Sequence, residues 1–136
     1  IWATIAIFIM AFSAIAALHR APSLDRWWMR GPVALYAGWL TAASFVSLAT
    51  TMAGYGIGFD AMGWAIAGII GALALTVATY RRTNSPLYIY AVVWALVGIC
   101  AANGVENFLI TALAITGIVS LICVMAMQPP RQPRIL

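Results

Sequence analysis

The chain alternates between long apolar runs and short polar segments. Each apolar run is close to the ~20 residues of helix that cross a bilayer core of ~30 Å. The runs are apolar on every side, which is typical of helices embedded in lipid, and none shows the alternating segments of a transmembrane barrel. The sequence therefore predicts an all-α integral membrane bundle of five transmembrane helices, over residues 1–18, 32–53, 61–80, 86–102 and 107–127.

Composition narrows the class of protein further. Of the 136 residues, 65% are hydrophobic and 7% are charged, whereas a soluble domain carries about 25% charged residues. Such a chain cannot cover a water-facing surface, so its partner is the lipid bilayer, and a soluble enzyme or a nucleic-acid-binding domain is excluded. Cys100 and Cys123 stand in apolar runs without zinc or disulfide spacing, and we interpret them as small hydrophobes.

The positions of the charged residues predict how the helices are oriented. Arginines lie in the first and third loops and in the C-terminal tail, whereas the second and fourth loops hold one acid each, Asp60 and Glu106. Basic segments stay on the cytoplasmic side of a membrane. We therefore expect the N-terminus outside and the C-terminus in the cytoplasm.

The predicted spans contain no Asp, Glu, Lys, Arg or His. Pumps and proton-coupled transporters need such groups inside the membrane, and the sequence also lacks a phosphate-binding loop, a metal-binding motif and a Ser/His/Asp set. We therefore expect a protein that is not an enzyme and has no metal site. His19 leaves two interpretations open, an ordinary interfacial histidine or the axial ligand of a haem or chlorophyll metal.

Small and hydroxyl-bearing residues mark the second and third spans. Four hydroxyl side chains recur in the second span at spacings of three and four, which predicts one helical face. They are Thr41, Ser44, Ser47 and Thr51. This face serves either helix packing, with hydrogen bonds between helices, or the weakly polar wall of a ligand pocket. In the third span, Gly68 and Gly71 favour close helix packing.

Two motifs give the chain a resemblance to a known family. The first joins a proline, an aromatic residue, a glycine–tryptophan pair and a turn rich in Thr, Ala and Ser: Pro32, Leu35, Tyr36, Gly38, Trp39, Thr41, Ala43 and Ser44. The second leads from two arginines into the fourth span: Arg81, Arg82, Tyr90, Val93, Trp94, Ala95, Leu96, Gly98 and Ile99. Together they resemble the translocator protein / tryptophan-rich sensory protein family, and its longer bacterial members in particular.

This resemblance implies an organisation and a function. It makes the chain the C-terminal part of a longer member in the bacterial cytoplasmic (inner) membrane. The implied units are the last two helices of the family domain (1–54), a three-helix membrane extension (55–128) and a cytoplasmic tail (129–136). Family members bind hydrophobic or tetrapyrrole ligands, such as porphyrins, between their helices. The family's pocket tryptophan matches Trp39, so the resemblance implies ligand binding by Trp39, with Tyr36 and Thr41 as neighbours.

Two other functions remain open at this point. Spans without ionisable groups, faces of small residues and short loops also suit a structural or assembly subunit of a larger membrane complex, photosynthetic or respiratory. Its protein partners would then be other membrane subunits or further copies of itself. A facilitator for an uncharged solute is the third possibility, although the sequence shows no polar pore lining.

Overall fold

The computed structural model describes residues 1–22 and 26–128 of the chain. Every long element in these two segments is an α-helix, and all five α-helices are long and apolar enough to cross a membrane. The predicted all-α, five-span architecture is therefore confirmed, with helix ends that differ from the predicted ones by a few residues. The predicted tail at 129–136 lies outside the described residues. The helices are α1 (Trp2–Arg20), α2 (Gly31–Gly54), α3 (Ala61–Thr83), α4 (Pro86–Asn103) and α5 (Phe108–Met127).

Local sequence signals explain where several helices begin and end. Helices α2 and α4 each have a proline in the first turn, where the missing N–H has no intrahelical partner to lose. The Asp60 side chain accepts a hydrogen bond from the Gly63 N–H at 2.8 Å and caps the start of α3. Helix α3 ends at Thr83, and the left-handed backbone of the following Asn84 (φ 49°) reverses the chain into α4.

Helix α2 is the centre of the bundle and packs against α1, α3 and α4, while α5 packs against α4 and α3. Because α3 returns the chain across the bundle, α2 and α4 run parallel. Both therefore start at the end that carries Arg20, Arg30, Arg81 and Arg82, which we name the arginine end. The opposite end carries Asp60 and Glu106 and is named the acidic end. Which end faces the cytoplasm stays a prediction.

In the described residues, large apolar side chains cover the outside of the bundle and small residues fill its interior. Large side chains such as Trp2, Trp94 and Phe108 point outward, whereas Ala34, Ala37 and Ala114 are fully buried between helices. Helices in a membrane gain little by burying large apolar groups, because lipid is as apolar as they are, and instead pack closely through small residues. This distribution is the one expected for an integral membrane protein.

Arg30 ties helix ends together at the arginine end. Its guanidinium donates one hydrogen bond to the Ala21 carbonyl at 3.1 Å and another to the Thr83 carbonyl. These carbonyls lie at the C-terminal ends of α1 and α3, where backbone acceptors lack intrahelical partners and a cation is favourable. Arg30 thus fixes the start of α2 against its two neighbours.

Candidate functional site: an apolar cavity between three helices

A cavity of about 260 Å³ lies between α2, α3 and α4. Among the described residues that line it, Thr50 and Asn103 have polar side chains and the others are apolar. Helix α2 contributes Ala42, Phe45, Val46, Ala49 and Thr50; α3 contributes Ala65, Gly68, Ile69 and Ala72; α4 contributes Val92, Ala95, Leu96, Ile99 and Asn103; and α5 contributes Ile110. All α2 and α4 lining residues follow Gly38 or Ala91 in sequence, so the cavity occupies the acidic-end half of the bundle.

The cavity exists because α2 and α4 touch at one level and separate above it. A Cβ built on Gly38 would lie 2.5 Å from the Tyr88 carbonyl oxygen and 2.8 Å from the Ala91 Cβ, so the two backbones are in contact there. Gly98 lies two turns above Ala91 on the same face of α4. A Cβ built there would meet no described atom within 4 Å. The two helices therefore cross at Gly38 and diverge toward the acidic end.

Helix α3 closes one side of the cavity through close contacts with α2. A Cβ on Gly68 would lie 3.3 Å from the Phe45 carbonyl oxygen and 3.4 Å from the Ala49 Cβ. A Cβ on Gly71 would lie only 2.5 Å from the Phe45 ring. The structure thus places both predicted packing glycines at the α2–α3 contact. On its other side the Phe45 ring meets the Phe8 ring edge-on, at a centroid distance of 5.8 Å.

A buried cluster of hydroxyl groups holds α2, α3 and α4 together near the crossing. The Thr41 hydroxyl donates to the Ala37 carbonyl at 2.9 Å, so at the 2.6 Å contact with Tyr88 the phenol is the donor. Both side chains are fully buried, and Thr76 and Thr79 of α3 also interact with the Tyr88 hydroxyl. We name Thr41, Thr76, Thr79 and Tyr88 the hydroxyl cluster. Because a buried hydroxyl without a partner is costly, the cluster favours this one arrangement of the three helices.

The predicted hydroxyl face of α2 divides between two neighbours. Thr41 contacts α4, whereas Ser47 and Thr51 both bond to the Thr4 hydroxyl of α1 at 2.9 Å. Ser44 is buried and donates to the Leu40 carbonyl of its own helix at 2.7 Å. The separation follows from helix geometry, because steps of three and four residues drift around a helix with 3.6 residues per turn.

The structure does not bring together the three residues predicted to bind a ligand. Trp39 is 53% exposed and Tyr36 is 49% exposed, both on the outer surface of α2, whereas Thr41 is fully buried in the hydroxyl cluster. None of the three lines the cavity. The first lining residue of α2, Ala42, comes three residues after Trp39, so Trp39 stands about 4–5 Å below the cavity along the helix axis. Trp94 of the second motif also points outward, with 70% of its side chain exposed.

Sequence reasoning missed the residues that define the site. Tyr88, Asn103 and the alanines of the cavity wall were not predicted to form a site, although Ala95 belongs to the second motif. Tyr88 and Asn103 carried a weak signal, since each is a polar group at the end of an apolar run. The alanines carried none of their own, because the spans of this chain contain alanine at both buried and exposed positions.

His19 lies one residue before the end of α1 and is exposed. Its Nδ1 bonds to the Ile15 carbonyl at 2.8 Å, so Nδ1 carries a proton. The described residues contain no group of three or more His, Cys, Asp or Glu side chains that could hold a metal ion. The bond to its own helix suits an interfacial histidine, and the axial-ligand interpretation stays untested.

These features define a five-span membrane protein whose helices line an apolar cavity. The chain matches the sequence model of the family described as TSPO-like protein over residues 1–127, and it belongs to that family. This confirms the resemblance stated from the two motifs. The family match runs across the predicted boundary at residue 54 without a break. The division into units 1–54 and 55–128 stays a prediction. No curated protein and no solved structure gives a significant match to the chain.

Proposed function

We propose that this protein binds a hydrophobic ligand in the cavity between α2, α3 and α4, and that it acts by binding rather than by catalysis. The observation that carries the proposal is the cavity itself, whose described lining is apolar except for Thr50 and Asn103. Small-molecule sites are typically concave, apolar and supplied with a few polar groups. Membership of the TSPO-like family supports the same function, since the family resemblance implies apolar ligands held between helices.

The size of the cavity favours a compact ligand. An apolar cavity of about 150 Å³ in a protein core holds one benzene molecule. A cavity of about 260 Å³ therefore suits a body of two or three fused rings. A tetrapyrrole is larger, so part of it would extend between α2 and α4 onto the outer surface that carries Trp39 and Tyr36. The proposal therefore keeps the predicted porphyrin ligand, and in this arrangement Trp39 and Tyr36 would contact the part of the porphyrin that lies outside the cavity.

Filling the cavity tests the proposal. Ala95 lines the cavity, whereas Ala101 on the same helix is exposed and outside it. We expect wild-type protein in lipid nanodiscs to bind the fluorescent probe 1-aminoanthracene saturably, Ala95→Phe to bind it at least tenfold more weakly, and Ala101→Phe to bind it like wild type. Equal binding by wild type and Ala95→Phe would contradict the proposal, as would the absence of saturable binding of both 1-aminoanthracene and protoporphyrin IX to wild type.

The same preparation separates ligand binding from an assembly role. Purification of the native protein in mild detergent, followed by mass spectrometry, is expected to give the protein with a co-purifying small molecule. Stoichiometric membrane subunits, together with no saturable probe binding, would instead support the structural or assembly subunit and overturn the proposal.

A further inference from the structure

We infer that the ligand enters this cavity sideways from the bilayer, through the gap between α2 and α4, and that its one polar group contacts the Asn103 side chain. The inference rests on the proposed function, because it specifies the route and the orientation of a ligand in the same cavity. The ligand class it assigns is a small uncharged amphiphile: an apolar body with a single hydroxyl, carbonyl or amine group.

The route follows from the exposure of the cavity's edge. Among the lining residues, Val46 and Thr50 are exposed, and they lie one turn apart on the outer side of α2. Across the gap, the position of Gly98 on α4 is open, with no described atom within 4 Å of a Cβ built there. Below the gap the route is closed, because Gly38 contacts the α4 backbone. The opening therefore faces the hydrocarbon region beside the bundle.

The distance along each helix from the crossing shows where the two polar side chains of the cavity lie. Thr50 lies twelve residues after Gly38, and Asn103 lies twelve residues after Ala91. At 1.5 Å per residue, both stand about 18 Å above the crossing. Since the helices run parallel, the only two polar side chains among the lining residues of the described cavity meet at the same height, at its acidic end.

Asn103 retains hydrogen-bonding capacity at this height. Its amide nitrogen donates one hydrogen bond to the Ile99 carbonyl at 2.9 Å, and its amide oxygen accepts one from Asn107 at 3.2 Å. An asparagine amide has two N–H donors and two acceptor lone pairs. One donor and one lone pair thus have no partner within residues 1–22 and 26–128. The Thr50 hydroxyl donates to the Val46 carbonyl at 2.9 Å and retains acceptor capacity.

The rest of the cavity sets the shape and charge of the ligand. The lining residues run from Ala42 to Thr50 on α2, which is about 12 Å of helix, and from Val92 to Asn103 on α4, which is about 16 Å. Within residues 1–22 and 26–128 no ionisable side chain lines the cavity, so a charged ligand would lose its hydration without an ionic partner. A neutral ligand fits with its apolar body toward the bilayer centre and its polar group toward the membrane surface, as an amphiphile lies in the lipid itself.

A pair of probes tests the polar contact. Anthracene lacks the amine of 1-aminoanthracene and is otherwise the same body. We expect wild type to bind 1-aminoanthracene about fivefold more tightly than anthracene, the effect of one hydrogen bond, and Asn103→Leu to bind both equally while keeping wild-type affinity for anthracene. Asn103→Ala makes the same comparison should the leucine variant fail to fold. If either folded variant still binds 1-aminoanthracene more tightly than anthracene, the proposed contact with Asn103 is wrong.

A bulky side chain in the gap tests the route. Gly98→Trp places an indole in the open space beside Gly98, on the side of α4 that carries Ala91, and Ala101→Trp places one at another exposed position of the same helix. With 1-aminoanthracene delivered from preloaded vesicles, we expect an association rate at least tenfold slower for Gly98→Trp and unchanged for Ala101→Trp. An unchanged rate for Gly98→Trp would overturn the sideways route. Failure of wild type to bind both 1-aminoanthracene and protoporphyrin IX would instead overturn the proposed function itself, so the two failures are distinguishable.

Discussion

The pair α2 and α4 is closed in one half and open in the other. Toward the arginine end, Gly38 brings the two backbones into contact and the Thr41–Tyr88 hydrogen bond locks them at 2.6 Å. Toward the acidic end, the same two helices line an apolar cavity. A Cβ built on Gly98 would have no atom of the described residues within 4 Å. A glycine thus permits contact in one half and leaves space in the other, and the crossing at Gly38 makes the cavity possible.

The two glycines give the sharpest test of this comparison. Gly38→Ala adds a methyl group 2.5 Å from the Tyr88 carbonyl oxygen, so the backbones must separate. We expect a loss of about 2–3 kcal/mol in the free energy of unfolding, as for overpacked cores. Gly98→Ala adds the same group in open space and should stabilise by up to about 1 kcal/mol through helix propensity. Thermal unfolding in detergent measures both, and equal effects of the two substitutions would contradict the closed and open halves.

The α2–α3 contact beside the cavity is expected to be the next most sensitive. A Cβ on Gly71 meets the Phe45 ring at 2.5 Å, whereas one on Gly68 meets its nearest neighbours at 3.3 Å or more. We expect Gly71→Ala to destabilise by about 1–2 kcal/mol and Gly68→Ala by clearly less. Unfolding of the two variants side by side checks the order, and a larger loss for Gly68→Ala would show that α3 is packed differently.

The hydroxyl cluster should contribute a smaller, cooperative effect. Tyr88→Phe removes the phenol that donates to Thr41, and hydrogen bonds between membrane helices average about 0.6 kcal/mol. We expect a loss of about 0.5–1.5 kcal/mol for Tyr88→Phe and none for Tyr90→Phe, whose ring is exposed. A double-mutant cycle with Thr41→Val should show that the two losses do not add. Strict additivity would mean that the two hydroxyl groups are not coupled.

Trp39 lies outside both halves of the comparison and should show the smallest effect. Since it stands on the outer surface of α2 below the cavity's edge, Trp39→Leu is expected to leave the affinity for 1-aminoanthracene within twofold. Protoporphyrin IX, which is too large for the cavity alone, should bind more weakly to this variant. Binding titrations with the two probes give the comparison. A large loss for 1-aminoanthracene would move the site to the outer surface of α2.

The sequence was sufficient to predict the spans but not the faces of the helices. Span positions depend on run length and on local signals such as Pro32, Pro86 and the Asp60 cap, all of which are read along the chain. Burial within a span is different, because helices that are apolar all round give no periodic signal. Trp39 and Thr41 therefore looked alike as members of one motif, although one points outward and the other is fully buried.

The cavity was beyond sequence reasoning for a related reason. It arises from the angle between α2 and α4, which depends on a contact between Gly38 and Tyr88 that are fifty residues apart. Its walls are mostly alanine and branched aliphatic residues, which carry no chemical signature. The two polar groups that give it a direction, Thr50 and Asn103, become meaningful only when the parallel helices set them at one height.

Photolabelling of the wild-type protein tests the central claim most directly. An anthracene that carries a diazirine, activated in nanodiscs and mapped by mass spectrometry, is expected to label cavity-lining residues of α2 and α4, between Ala42 and Thr50 and between Val92 and Asn103. Unlabelled 1-aminoanthracene should suppress this labelling. Labelling confined to the outer surface around Trp39 and Trp94, or labelling that no competitor suppresses, would contradict a ligand site between the helices.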